Sequence, residues 1–251
     1  MAGHSQYANI KHRKAAQDKK RANLFTKLAR EIIVAAKMGQ PDPAFNPRLR
    51  AAIIAGKSCG LPKDRIENAI KKGSGQLGDG ENYEEIRYEG YAPGGVALII
   101  ECLSDNRNRS AADIRTILGK NGGSLGSEGS VQFLFDRVGL IQYKAETSSG
   151  DAMFEAAAEA GAGNVESDEI FHESTCAADD LNEVREVLTR KFGDPETAKL
   201  DWKPKTVITV NKERAEEIIA LIEALEDHDD VQAVSANFDV SEETAQQMAA
   251  G

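Results

Sequence analysis

The chain has 251 residues, 41% hydrophobic and 29% charged, and a formal net charge of −10. That is enough chain for two or three domains with real cores, and the balance excludes both a disordered polyampholyte and a membrane protein, since no apolar run approaches a membrane span. The charge is unevenly placed: residues 1–75 hold 16 Lys+Arg and 5 Asp+Glu, a net of +11, and the remaining 176 hold 15 and 36, a net of −21. A polyanion is therefore attracted to one end and repelled by the rest.

Residues 1–23 carry Lys11, Arg13, Lys14, Lys19, Lys20 and Arg21 against Asp18, with no apolar period. Such a segment cannot offset its ordering entropy by burial and is expected as a flexible basic arm. His4, Tyr7, Asn9 and His12 lie among the charges and suit stacking on or hydrogen bonding to bases. The N-terminus has no apolar stretch of the kind found in a secretory signal, and three widely spaced cysteines (Cys59, Cys102, Cys176) read as reduced core thiols, so a cytoplasmic location is expected.

From Phe25 the apolar residues Phe25, Leu28, Ala29, Ile32, Ile33 and Ala36 follow helical spacing up to Gly39. Asn46-Pro47 is a helix start, and Leu49, Ala52 and Ile53 mark the inner face of a second helix ending near Gly60. Pro62 opens a third, with Ile66, Ala69 and Ile70 inward and Gly73 as its stop. This three-helix basic unit, 24–75, presents Lys27, Arg30, Arg48, Arg50, Lys57, Lys63, Arg65, Lys71 and Lys72 outward.

Residues 74–82 (SGQLGDGEN) read as a linker. Beyond it strand-like runs fall at 84–91, 95–103, 130–135, 138–144, 164–176 (interrupted), 197–203, 205–210 and 231–240, and helical runs at 108–120, 150–161, 179–192 and 212–226. Residues 138–203 follow a β-α-β-β-α-β order, and 95–135 joined to 205–240 repeats it. The expected fold class is multidomain α and α+β: a three-helix unit, a discontinuous ferredoxin-like α+β domain over 76–136 and 204–243, a second inserted over 137–203, and a flexible tail at 244–251.

Ser104-Asp105-Asn106-Arg107-Asn108-Arg109-Ser110 lies between a buried strand and a helix. Two readings stay open for it: an anion or phosphate contact through Arg107 and Arg109 at a helix N-terminus, or a polar turn with Asn108 or Asp105 as cap. The glycine cluster 122–129 follows a helix and precedes a strand, the reverse of a nucleotide loop, and lacks its lysine. Glu226-Asp227-His228-Asp229-Asp230 reads as a solvated acidic turn rather than a metal site, because consecutive carboxylates do not converge on one ion. The four histidines and three cysteines have no metal-ligand spacing, and no Gly-x-Ser-x-Gly elbow occurs. The expectation is a binding protein and not an enzyme, with no cofactor and no metal, and with Lys11, His12, Arg13, Lys14, Lys19, Lys20, Arg21, Lys27, Arg30, Arg48, Arg50 and Lys57 as nucleic-acid contacts.

Met1-Ala2-Gly3-His4-Ser5, Ala8-Asn9-Ile10-Lys11-His12-Arg13-Lys14 and Lys19-Lys20-Arg21 strongly resemble the YebC/PmpR family. So do Asn46-Pro47-Arg48-Leu49-Arg50, Tyr88-Glu89-Gly90-Tyr91, Pro93-Gly94-Gly95, Ser104–Arg109, and Gly122-Gly123 with Gly129-Ser130-Val131. The match runs through the whole chain; Gln6-Tyr7 departs from the family's commoner Lys-Trp, keeping the aromatic but losing one charge. The resemblance implies a three-domain cytoplasmic protein that regulates gene expression. Members are described as DNA-binding transcriptional regulators; others, including a mitochondrial translational activator of cytochrome c oxidase, are linked to the ribosome and to translation through proline runs. The expected partner is thus DNA or rRNA, the latter on the ribosome, bound by a monomer with no membrane and no small-molecule substrate. Replacing Lys11, Arg13, Lys14, Lys19, Lys20 and Arg21 by Ala is expected to weaken nucleic-acid binding and flatten its salt dependence; unchanged affinity in a salt titration would place the contact elsewhere.

Overall fold

The computed structural model describes residues 20–77 and 82–249. The first helix, α1 (Lys20–Met38), turns Ile32, Ile33, Ala35 and Ala36 inward, and α2 (Pro47–Ser58) answers with Leu49, Ala52 and Ile53. Asn46 caps α2: its Oδ1 accepts from the Leu49 amide at 3.0 Å while its Nδ2 donates to the Ala35 and Gln40 carbonyls, so one side chain starts α2 and ties it to α1. The third helix, α3 (Lys63–Gly73), adds Ile66 and Ala69 to the same small core.

The third helix ends at Gly73 as its place in the sequence suggests, but not because this glycine makes the turn. It is the last residue of α3, packed so tightly on α1 that a Cβ would lie 2.3 Å from the Ile33 carbonyl oxygen, and the left-handed turn falls two residues later at Gly75. The start of α1 also differs, because the helix includes residues 20–23, which their charge and lack of apolar period assigned to the arm.

Strands β1 (Glu84–Tyr91) and β2 (Ala97–Ser104) form an antiparallel hairpin, with β3 (Ser124–Leu125) on the outer side of β1 and β9 (Val231–Ala236) on the outer side of β2. Helices α4 (Arg107–Lys120) and α7 (Lys212–Glu226) cover one face, where Ile114, Leu118, Ile218, Leu221, Ile222 and Leu225 bury Ile86, Tyr88, Leu98 and Ile100. The alternate residues Ala97 and Ile99 face the other way, as strand period requires, and are buried by Val131, Phe135 and Trp202. That second face joins this sheet to the next.

The second sheet is β5-β6-β4-β7, all neighbours antiparallel: β4 (Phe135–Lys144), α5 (Gly150–Glu159), β5 (Asn164–Ser167), β6 (Phe171–Ala177), α6 (Leu181–Phe192) and β7 (Thr197–Pro204). Ile141, Tyr143 and Cys176 pack there under Met153, Val184 and Leu188. At the junction Trp202 donates Nε1–H to Glu101 at 3.1 Å, and the guanidiniums of Arg87 and Arg137 lie 5.2 and 4.8 Å from its ring centre.

Four expectations change, two of them about strands. Residues 130–134 form no strand: the buried Glu89 carboxylate takes the amides of Val131 and Gln132, at 2.7 and 2.9 Å, and the chain makes a 3-10 turn over Gln132–Leu134 instead. In the first sheet the place assigned to 205–210 belongs to β1. The short β8 (Ile208–Val210) pairs in parallel with β10 (Phe238–Val240); between β9 and β10, Asn237 donates its amide to the Ala97 carbonyl at 3.2 Å, accepts the Ala97 amide on Oδ1 at 2.7 Å and turns its own carbonyl to the Ile208 amide at 2.8 Å. Beyond it, Glu242–Ala249 form α8, with Ala245 buried, where a tail was expected. All three cysteines are free, and Cys59 is half-buried after α2 rather than in a core.

Gly73→Ala is expected to lower stability by about 2 kcal/mol, the usual cost of overpacking, since the obstacle is backbone and cannot rotate away. Equilibrium urea unfolding of native and variant chains measures it.

Candidate nucleic-acid interface

The five arm residues Lys11, His12, Arg13, Lys14 and Lys19 lie outside the described residues, and Lys20 and Arg21 open α1. Of the remaining candidates, most are committed to partners within the chain. Lys27 donates Nζ to the Glu226 carbonyl; Arg30 donates to the Asp229 carbonyl at 2.6 Å and to Asp230 Oδ1 at 2.7 Å, and stacks over Tyr83. Asn23 donates to the Asp227 carbonyl at 2.7 Å. One face of α1 thus supplies donors to the carbonyls left open at the C-terminus of α7, with its cations at the negative end of that helix. Burial lowers the Lys27 pKa, and the nearby Glu226, Asp227 and Asp229 offset this only in part.

Asp230 is the centre of the arrangement. Its side chain is 3% exposed and accepts from Arg30, from Ser104 Oγ at 2.8 Å and from Arg109 at 3.0 Å, while its carbonyl accepts the Leu103 amide. Burial pushes its pKa up, but the bonds from Arg109, Ser104 and Arg30 outweigh that and hold it below the usual aspartate value. The expectation of a solvated acidic turn is therefore overturned at this residue: the turn is a structural latch. Its neighbour His228 accepts the Asp230 amide on Nδ1 and so points Nε2 at Asp113, 3.3 Å away. The open cleft beside the latch, about 500 Å³, is lined by Arg30 and Arg109 but also by Asp227, Asp229 and Asp230, so its carboxylates outnumber its guanidiniums and it does not suit an anion.

Arg48 pairs with Glu31 at 2.7 Å and Glu85 at 2.5 Å, and the two carboxylates outweigh its burial and raise its pKa. Arg50 donates to the Pro43 and Ala44 carbonyls at 2.9 and 2.8 Å. Arg109 is held through Nη2 by Asp105 at 2.7 Å as well as by Asp230 at 3.0 Å, with its side chain about half exposed. The cap of α4 is Asn106, whose Oδ1 accepts the Arg109 amide, and neither Asn108 nor Asp105. Arg107 is exposed beside it. The second glycine cluster is likewise filled from within: Glu89 accepts the Gly129 amide at 2.9 Å together with those of Val131 and Gln132. Burial alone would raise the Glu89 pKa; the three amides lower it.

The cations left at the surface are Lys57 on α2 and Lys63, Arg65 and Lys71 on α3, with Lys63 90% exposed and only loosely paired with Glu67 at 3.7 Å. Among the described residues no group of three or more metal-ligating side chains converges, and no helix is long and apolar enough to cross a membrane.

Asp230→Ala is expected to destabilise the chain by about 3 kcal/mol, because Arg30 and Arg109 lose a buried counter-charge. Since the Asp230 pKa is lowered on folding, its contribution is complete above the unfolded value of about 3.9 and is lost as pH falls through the folded value. Urea unfolding at pH 7 and pH 3 should therefore show a smaller gap between native and Asp230→Asn chains at pH 3.

Sequence comparison matches residues 5–76 to the TACO1/YebC protein N-terminal domain and residues 83–238 to the TACO1/YebC second and third domain. A relative in Zymomonas mobilis, described as a probable transcriptional regulatory protein, is 57% identical over 248 residues, covering 99% of both chains. The crystal structure of a conserved hypothetical protein from Aquifex aeolicus superposes with a TM-score of 0.84 at 46% identity, covering 90% of this chain and 93% of that one. With two matched segments spanning both the helical unit and the paired sheets, the chain belongs to the TACO1/YebC family.

Proposed function

We propose that this protein is a non-enzymatic, cytoplasmic, DNA-binding regulator of transcription that meets nucleic acid at its N-terminal end. The observation that carries the reading is the sorting of charge: the latch and the Glu31–Arg48–Glu85 pairs consume cations on one side of the helical unit, while Lys57, Lys63, Arg65 and Lys71 stay exposed. The arm adds Lys11, His12, Arg13, Lys14, Lys19, Lys20 and Arg21 to that end, and Arg107 is a further exposed cation. The rest of the chain is strongly acidic and repels the polymer, so the complex has one orientation. The name of the Zymomonas mobilis relative supports a role in transcription.

In this reading the helical unit, 24–75, is the contact module. Two ferredoxin-like units carry it, one over 76–136 and 204–243 and the other inserted over 137–203. The latch fixes the module on its carrier, so its exposed face is presented in a set direction.

Lys57, Lys63, Arg65 and Lys71 changed together to Ala should weaken binding to duplex DNA and reduce the slope of log K against log salt by about 0.9 for each phosphate contact removed. Fluorescence anisotropy at several salt concentrations reads both quantities. Retention of native affinity and slope rejects this surface. Tighter binding to structured RNA than to promoter DNA in the same assay would replace transcription by ribosomal RNA as the target.

A further inference from the structure

A second cleft, about 230 Å³, lies between α2 and α6, where the helical unit meets the β4–β7 unit. Arg50 and Ile54 line it from α2, and Arg185, Glu186, Thr189 and Arg190 from α6, with Asp194 just beyond that helix. Arg185 is only 5% exposed, yet it makes no hydrogen bond or ion pair among the described residues. Its stem is packed and its guanidinium lines the cleft. Arg50, tied back by the Pro43 and Ala44 carbonyls, presents its remaining nitrogen 3.7 Å from Glu186, and Arg190 is exposed at the rim.

A guanidinium on a buried side chain with no hydrogen-bond acceptor inside the protein must take its acceptors from the cleft it lines, and here a second one stands beside it. Burial, and after it the charge of Arg50, lower the Arg185 pKa, and Glu186 and Asp194 offset this only in part. Three guanidiniums facing two carboxylates leave an excess positive charge. The planar fork of arginine matches two oxygens of a phosphate at once, while the threonine hydroxyl at the same rim is bonded to Tyr143. The backing is firm, because the Tyr143 hydroxyl donates to the Gly193 carbonyl at 3.0 Å and fixes the end of α6 against β4. At less than the roughly 300 Å³ of the smallest usual ligand pockets, the space fits one phosphate group rather than a whole nucleotide.

We infer that this cleft binds a single phosphate group, held by Arg185 with Arg50 and Arg190 completing the cradle. The phosphate comes either from a nucleic-acid backbone or from a free phosphate ester. The first source, which rests on the function proposed above, would engage the helical unit and the β4–β7 unit with the same strand.

Thermal unfolding of the full chain in sodium phosphate and in sodium chloride at matched ionic strength tests the site. Phosphate stabilises many proteins by exclusion from their surface, so the informative quantity is the difference between native and variant chains. The native chain should gain a saturable, phosphate-specific rise in Tm that Arg185→Met loses. In chloride Arg185→Met should melt close to the native chain, since the guanidinium it removes makes no hydrogen bond within the described residues. Arg190→Ala, at an exposed position, should reduce the same rise and serves if Arg185→Met does not fold. An equal phosphate shift in native and variant chains overturns the site. Oligonucleotide binding then separates the sources: a salt slope about one unit lower in the variants assigns a backbone phosphate, and an unchanged slope with loss of the phosphate shift assigns a free ester. Failure of the native chain to bind any oligonucleotide would reject the proposed function, while the phosphate comparison would still decide the cleft.

Discussion

A carboxylate taken out of water must be compensated where it sits, and the compensation of Asp230 organises much of this molecule. Arg30 reaches it from α1, Ser104 from the end of β2 and Arg109 from the first turn of α4, while its own backbone starts β9. Each of these segments has other contacts, and at Asp230 they share one acceptor. The position of the helical unit on the first sheet follows from that sharing, and so does the direction in which its free cations point. Cys102 records the same field: burial, then the charge of Asp230, push its thiol up to about 12, which keeps it protonated and inert.

The charge asymmetry was legible in the sequence, but which cations are available was not. Lys27, Arg30, Arg48 and Arg50 stand in the same basic stretch as Lys57, Lys63 and Arg65, and nothing local distinguishes them. Their partners lie far along the chain, Arg30 and Asp230 being 200 residues apart, and a distance of that kind leaves no mark on spacing or composition. The acidic turn misled for the converse reason. Four of its five residues carry charge, which reads as solvation, whereas one of them, Asp230, is buried and accepts from three side chains.

The fold was more readable, within limits set by what makes each element. Apolar residues at helical spacing and the Asn46-Pro47 start placed the three helices, because those signals are local. Strands were lost or misassigned where a side chain takes over a backbone bond. Glu89 removes two amides from a would-be strand at 130–135, and Asn237 substitutes its side-chain oxygen for a ladder partner of Ala97. Both residues are polar and buried, and both could have been flagged as polar positions inside apolar strand patterns. Arg185 belongs with them: in α6 it occupies an inward position among Leu181, Val184 and Leu188, where a charged residue has no structural reason to be.

The strand order of the first sheet has a consequence for how the chain matures. Its four strands are drawn from residues 84–125 and 231–236, so its outer strand β9 is made only after the whole β4–β7 unit has been synthesised. Contacts that span this much sequence form late and slowly, whereas the helical unit and the β4–β7 sheet are built from near neighbours and can fold as they emerge. The basic module therefore exists, folded and charged, while its anchor has yet to be translated. A nascent or truncated chain carries the positive end without the orientation that Asp230 imposes, and only the finished protein holds the two together.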